Sequence, residues 1–292
     1  MKVNTEIKKK QEDYKFESPM IELSRKFLKK KVATVSFFFI LFLIILAIFQ
    51  PTPYDISQTD YSNTLSKPSA EHWFGTDEYG RDIFSRIVYG TKLSLTVAIV
   101  GVTVGAVIGS ILGLIAGYYR GIPEMIIMRT CDVLLAFPGL LLAIGIVAII
   151  GPGLINVVIA IAIYGIPNFT RIIRSSTLAI KELLYVEASQ SIGVSDLRLL
   201  FKHIFPGTVP ALIVSYTMRL GTAIITAASL SFLGFGASPS NPDWGAMLSS
   251  GRNYIGIAPH MLFYPGLAIF LTVLGFNLLG DGLRDTLDPK LD

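Results

Sequence analysis

The sequence predicts an all-α integral membrane protein with six transmembrane helices. Three observations carry this. Hydrophobic residues make up 52% of the 292-residue chain and charged residues 16%, with a mean hydropathy of +0.58, too apolar and charge-poor for an ordinary soluble domain. The uncharged runs match the roughly 20 apolar residues that a spanning helix needs. The basic residues sit in alternate loops, as membrane topology requires. The remaining length leaves no room for a soluble enzyme domain of about 100 residues.

Charged residues delimit the spans, because a charge at the bilayer centre costs a few kcal/mol. Span one is Val32 to Phe49, closed by Pro51 and Pro53. Its flanks lack a small-x-small cleavage site, so it is expected to be retained rather than removed as a signal peptide. The loop from Gln50 to Thr91 is acidic, and its stretch from Arg81 to Tyr89 is amphipathic, expected to lie along the membrane surface. Span two falls within the run from Leu93 to Tyr119. Val133 to Thr170 is uncharged for 38 residues and is interrupted at Gly151, Pro152 and Gly153, which predicts a helical hairpin, spans three and four. Span five runs roughly from Thr208 to Leu230, and span six roughly from Pro259 to Gly280.

With the N-terminus placed in the cytosol, residues 1–31, 120–132, 171–206 and 281–292 hold 10, 2, 5 and 2 basic residues, 19 in all, against 4 in the outer loops. Both termini are therefore expected in the cytosol. The same clustering argues against reading the net charge of +4 as a nucleic-acid surface. The single cysteine, Cys131, excludes an intrachain disulfide, and His72, His203 and His260 make no recognisable metal spacing. Gly75 to Asp82, GTDEYGRD, has the glycine spacing of a phosphate-binding loop. It places Arg81 and Asp82 where Lys and Ser or Thr belong, holds three acids in all with Asp77 and Glu78, and follows no buried strand. No ATP site, catalytic group or cofactor site is expected on this chain.

Span two carries Gly101, Gly105, Gly109, Gly113 and Gly117 at strict four-residue spacing, a drift of only about 40° per step around a helix. The smooth face predicts close helix packing, within the chain or against a partner subunit. Pro138-Gly139, Gly165 with Pro167, and Pro265-Gly266 interrupt other spans. Such breaks suit a bundle lining a pathway. Arg219 stands 13 residues beyond Pro206, about 20 Å into span five. A guanidinium at that depth faces a cavity or a partner. It is a candidate to attract a peptide carboxylate or other anion on a substrate path, with an internal ion pair or a subunit contact as the alternatives.

The 36-residue inner loop from Arg171 to Pro206 is long for a compact bundle. Leu183, Leu184, Val186 and Ile192 among polar residues suit a short helix docking into a groove on a soluble protein, and Gly193 supplies a stop. An interfacial helix resting on lipid headgroups is the alternative.

This loop resembles the cytosolic coupling loop of permease subunits of ATP-binding-cassette importers. Glu187-Ala188-Ser189 is followed by Gly193, six residues past Glu187, and by Pro206, thirteen past Gly193. Ser189 departs from the usual second alanine, and His203 and Phe205 replace isoleucine and leucine. WFGTDEYGRDIFSRIVYGTKLSL (Trp73 to Leu95), DVLLAFPGLLLA (Asp132 to Ala143), SLSFLGFG (Ser229 to Gly236) and NPDWGAML (Asn241 to Leu248) resemble the C-type permease of dipeptide and oligopeptide importers, whose nickel and metallophore relatives share these motifs. The resemblance runs from about residue 25 to the end. It implies the type I importer permease fold, a five-helix core preceded by one extra N-terminal helix.

It also implies a second permease as heterodimer partner, two cytosolic ATPase subunits holding ATP and Mg, and an extracytoplasmic peptide-binding protein, with this chain in the cell membrane among its lipid. The coupling helix, roughly Glu182 to Asp196, would meet the ATPase through Leu184, Tyr185, Glu187, Ala188, Ser189, Ser191, Gly193 and Asp196, with Pro206 closing the loop. Import of dipeptides or oligopeptides by alternating access is the implied function, with nickel or a metal-metallophore complex as the alternative cargo. The expected organisation is a basic cytosolic segment at 1–31, the first span at 32–49 and an extracytoplasmic loop at 50–91. The importer core follows at 92–282 with the coupling loop at 171–206, then a cytosolic tail at 283–292.

Overall fold

The computed structural model describes residues 19–236 and 242–287. The first eighteen residues, Asn241 of the NPDWGAML motif and the end of the tail lie outside them. Among the described residues the chain is helical, with one isolated antiparallel bridge between Thr76 and Asp82. The helices are α1 (Pro19–Lys29), α2 (Lys31–Phe49), α3 (Ile83–Tyr119), α4 (Gly121–Leu135), α5 (Gly139–Ile150), α6 (Leu154–Lys181), α7 (Leu184–Ser191), α8 (Asp196–Phe232), α9 (Trp244–Gly251) and α10 (His260–Leu287).

Five of these, α2, α3, α6, α8 and α10, are long and apolar enough to cross a membrane. The pair α4 and α5, bent by 93° at their junction, is apolar enough to make a sixth span together. The break falls at Pro138-Gly139, one of the interruptions expected from the sequence, while α4 begins ahead of Val133, the expected start of this run. Pro138 has no amide hydrogen to continue a helix, and a side chain at Gly139 would strike the Tyr164 ring, so the chain turns there and the helix restarts.

The glycine face of α3 packs against α6 in the same chain. Methyls at Gly101, Gly109 and Gly117 would meet Ile161 (2.8 Å), Phe169 (2.6 Å) and Thr177 (2.7 Å). The constant offset of 60 residues means that the two helices run side by side in one direction, backbone nearly touching backbone. On the other side of the bundle, α2 is peripheral. Ala33, Ser36, Ile40, Leu43 and Ala47 form its one buried stripe, received partly by Gly275 and Gly282 of α10, while Val35, Phe38 and Phe42 are exposed.

Two expectations are revised. The stretch from Arg81 to Tyr89 does not form a separate surface helix. From Ile83 it is the start of α3, with Ile83, Arg86, Ile87 and Val88 buried. The 36-residue inner loop is mostly helix: α6 continues to Lys181 and α8 begins at Asp196, ten residues ahead of Pro206. Charge marks where a helix leaves lipid, and a helix does not stop there. Pro206 is absorbed by a π-helical turn at Leu199–Ile204, the widened turn accommodating its missing donor. The loop after α8 contains α9, whose Trp244 is 1% exposed and donates from Nε1 to the Ile87 carbonyl (3.1 Å).

Candidate functional site

The site builds up from the end of the bundle where α3, α6 and α8 converge. Tyr118, in the last turn of α3, accepts the Lys181 ammonium on its carbonyl (2.7 Å) and donates its hydroxyl to Asp196 (2.7 Å). These bonds fix the ends of α6 and α8 against α3. Across the resulting platform lies α7. Val186, 1% exposed, inserts into an apolar cluster with Leu114, Ile173, Leu199 and Ile204, and Tyr185 donates to the His203 carbonyl (3.1 Å).

The opposite face of α7 is open. Leu184 and Ile192 are 82% and 81% exposed, and Leu183 and Tyr185 are exposed beside Leu184. Glu187, Ala188 and Ser191 are exposed on α7, and Ser189 returns its hydroxyl to the Tyr185 carbonyl (2.7 Å). Gly193 follows with a φ of +79°, a left-handed residue that ends the helix and directs the chain toward Asp196. Of the four apolar residues expected to dock outward, Val186 thus anchors the helix inward and Leu183, Leu184 and Ile192 face away. The helix thus combines one buried anchor with an apolar outer face.

Arg219 lies on α8 far from this surface. Its guanidinium sits over the Tyr164 ring, 5.4 Å from the centroid, and no carboxylate pairs with it among the described residues. A cation–π contact holds the charge without neutralising it. Tyr164 in turn packs on Gly139 at the break between α4 and α5, so the helix break and the intramembrane cation are neighbours. Tyr118, Lys181 and Tyr164 were not singled out from the sequence. An aromatic beside a basic residue across two helices leaves no local signal.

At the opposite end, Asp77 accepts the Tyr79 and Arg81 amides and the Arg81 Nε (2.7 Å), with Arg86 at 3.5 Å. His72 pairs with Asp82 (2.9 Å), and His260 Nε2 lies 3.2 Å from the Thr76 carbonyl. The GTDEYGRD segment is thus a self-bonded acidic turn clamped onto α10, a structural cap on the bundle. Gly80 has a φ of +71°, and a side chain there would collide with Asp60. Burial pushes the Glu78 carboxyl above its ordinary range.

Residues 109–292 match the family described as binding-protein-dependent transport system inner membrane component, and residues 18–68 match the N-terminal transmembrane domain of oligopeptide transport permease C. The glutathione transport system permease protein GsiD of Pectobacterium atrosepticum is 54% identical over 96% of this chain and 94% of its own. GsiD of Escherichia coli is 53% identical over 94% and 91%. Among solved structures, the inward-facing MetNI methionine ABC transporter superposes with a TM-score of 0.58 at 19% identity, over 70% of this chain and 98% of its own. An amino acid ABC transporter gives 0.51 at 18%, over 69% and 92%. The chain belongs to the family of binding-protein-dependent transport system inner membrane components. It is a multi-pass membrane permease of an ATP-binding-cassette importer, a class that works with a second permease, ATPase subunits and a substrate-binding protein.

Proposed function

We propose that this permease imports small peptides, the dipeptide to oligopeptide class that includes glutathione, as one half of a heterodimeric pathway. The α7 end faces the cytosol with both termini, two ATPase subunits dock there, and a peptide-binding protein delivers cargo to the opposite end. ATP and Mg belong to the ATPases, and this chain carries no catalytic group. The observation that carries the coupling assignment is the division of α7 into a buried anchor, Val186, and an exposed apolar face beside Glu187. A helix held this way transmits the closing of an ATPase pair as a rigid displacement of α3, α6 and α8. Such transmission requires the ATPases to contact α7 differently in their two states. The names of the relatives support a cargo with a carboxylate, as does Arg219, which meets no carboxylate among the described residues.

Two experiments test this reading. Glu187→Lys and Gly193→Val are expected to keep the complex in the membrane while separating ATP hydrolysis from uptake. Gly193 has a φ of +79° and open space around it within this chain, so its substitution strains the backbone and alters the docking face without a clash inside the chain. Normal uptake by both variants would remove α7 from the coupling role. The cargo is tested by mass spectrometry of proteins that co-purify with the tagged chain, then by ligand binding to the extracytoplasmic partner recovered. Recovery of a second permease, ATPases and a peptide binder supports the proposal. A partner that prefers nickel or a metallophore overturns the cargo, and the absence of any ATPase from an otherwise intact complex overturns the machinery.

A further inference from the structure

The helices α1 and α2 do not run in line. Phe27, near the end of α1, meets Phe37 edge to face with ring centroids 6.2 Å apart, whereas a continuous helix would separate residues ten apart by about 15 Å. Lys30 is the elbow, with φ −89° and ψ 88°. The Phe27 carbonyl closes the elbow, accepting from the Lys30 amide (2.9 Å) and the Thr34 hydroxyl (3.4 Å).

The fold-back leaves a groove of about 470 Å³ between α1, the start of α2 and the last turns of α10, lined by Phe27, Leu28, Phe37, Phe38, Leu279 and Leu283 among others. That volume lies within the range of ligand sites, roughly 300–1,000 Å³. The lining is almost wholly hydrocarbon, and it continues into the exposed face of α2, where Val35, Phe38 and Phe42 are 69%, 57% and 56% exposed. Its mouth is basic. Arg25, Lys26, Lys29, Lys30 and Lys31 fall within seven residues, with Arg25, Lys29 and Lys31 exposed. Asp285, the acid on the facing part of α10, is taken up by Lys30 at 2.7 Å.

We propose that this groove is a binding site for an anionic phospholipid, one acyl chain lying along Phe37, Phe38 and Leu283 and the phosphate received at the elbow by Lys29 and Lys31. An apolar slot opening under a cationic rim at the end of a spanning helix complements an anionic headgroup joined to a hydrocarbon tail. A zwitterionic lipid satisfies the slot but gains little from the rim. The site is independent of cargo and of the coupling helix, so its failure would leave the transport proposal standing.

The test uses the full complex in mild detergent or nanodiscs. Native mass spectrometry with phosphatidylglycerol and phosphatidylcholine is expected to show phosphatidylglycerol retained preferentially. The double variant Lys29→Gln/Lys31→Gln should weaken that retention by about tenfold. Leu283→Trp, which fills the slot and leaves the rim intact, should weaken it as well. A photoreactive Phe38→benzoylphenylalanine variant is expected to crosslink to phosphatidylglycerol. Equal retention of the two lipids overturns the proposal. So does sensitivity to the rim variants with none to Leu283→Trp, which would indicate surface attraction only. A crosslink from position 38 to residues 1–18 of this chain or to another subunit would assign the groove to protein instead.

Discussion

Glu78 is a carboxylate placed where water is scarce. Its Oε1 lies 3.7 Å from Arg81, and its Oε2 is buried with no hydrogen-bond partner among the described residues. Desolvation outweighs the nearby guanidinium groups and raises its pKa above the ordinary 4.5. The folded chain therefore holds this proton more tightly than the unfolded chain does. The group's contribution to stability is complete below 4.5 and is lost as pH rises through the raised value. Glu78→Gln, neutral at every pH, is expected to melt at or above the parent temperature at pH 8 and to converge with it in acid. Thermal unfolding in detergent across about pH 4.5 to 8 reads this; a variant that melts lower at pH 8 would show the Arg81 contact to be the stronger effect.

Trp244 presents the opposite case, a large side chain whose surroundings are complete. It is fully buried, its Nε1 is bonded to Ile87, and its amide lies 3.3 Å from the Ser94 hydroxyl. Asp243 ahead of it caps α9 through the Ala246 amide (2.9 Å) and accepts from Ser231 (2.6 Å). One short helix thereby ties α3 to α8. Trp244→Ala should destabilise by about 3–5 kcal/mol, with Trp244→Phe milder, measured as the melting temperature of the purified complex.

At the scale of elements, the α3–α6 pair depends on the absence of side chains. Gly109→Val and Gly113→Val each place atoms within 2.6–2.8 Å of Phe169 and Ile173 side chains and of α6 backbone carbonyls. Backbone cannot yield as a flexible side chain tip can. Each substitution should cost about 1–3 kcal/mol, in the range of overpacking, and lower the yield of folded protein. Gly145→Ala in α5, where nothing lies within 4 Å, is the control and should be neutral. The break between α4 and α5 is a second element-level device. Because Gly139 supports Tyr164 and Tyr164 carries Arg219, Gly139→Leu is expected to displace the intramembrane cation. In the proposed transporter that impairs uptake with surface abundance unchanged, which a parallel uptake assay and membrane blot would show.

At the scale of the whole molecule, the proposed orientation makes a prediction that needs no partner. The buried Cys131 is first replaced by serine. Ser69→Cys in the loop after α2 should then react with a membrane-impermeant maleimide from outside intact cells. Ile192→Cys beside α7 should react only after the membrane is opened. The reverse pattern would invert the topology.

The local content of the chain was sufficient for its class. Hydropathy and charge are properties of segments and add along the sequence, so the all-helical fold and the importer permease family were legible without coordinates, the family through the motifs around Glu187, Gly193 and Trp244. Segment properties could not say what each face meets. The glycine face admitted an internal or an external partner, and only the packing assigned it to α6. Leu183, Leu184, Val186 and Ile192 were alike by composition, and only the platform formed by α3, α6 and α8 turned Val186 inward and left the other three exposed. Charged residues marked where lipid ends, whereas the ends of α6 and α8 were set by Tyr118, Lys181 and Asp196, bonded across 63 and 78 residues of sequence. The sequence by itself determined which segments enter the membrane, because transfer from water to lipid depends on each segment's own surface. The tertiary structure decided where those helices end, bend and touch, because close contact depends on the shapes of two surfaces at once.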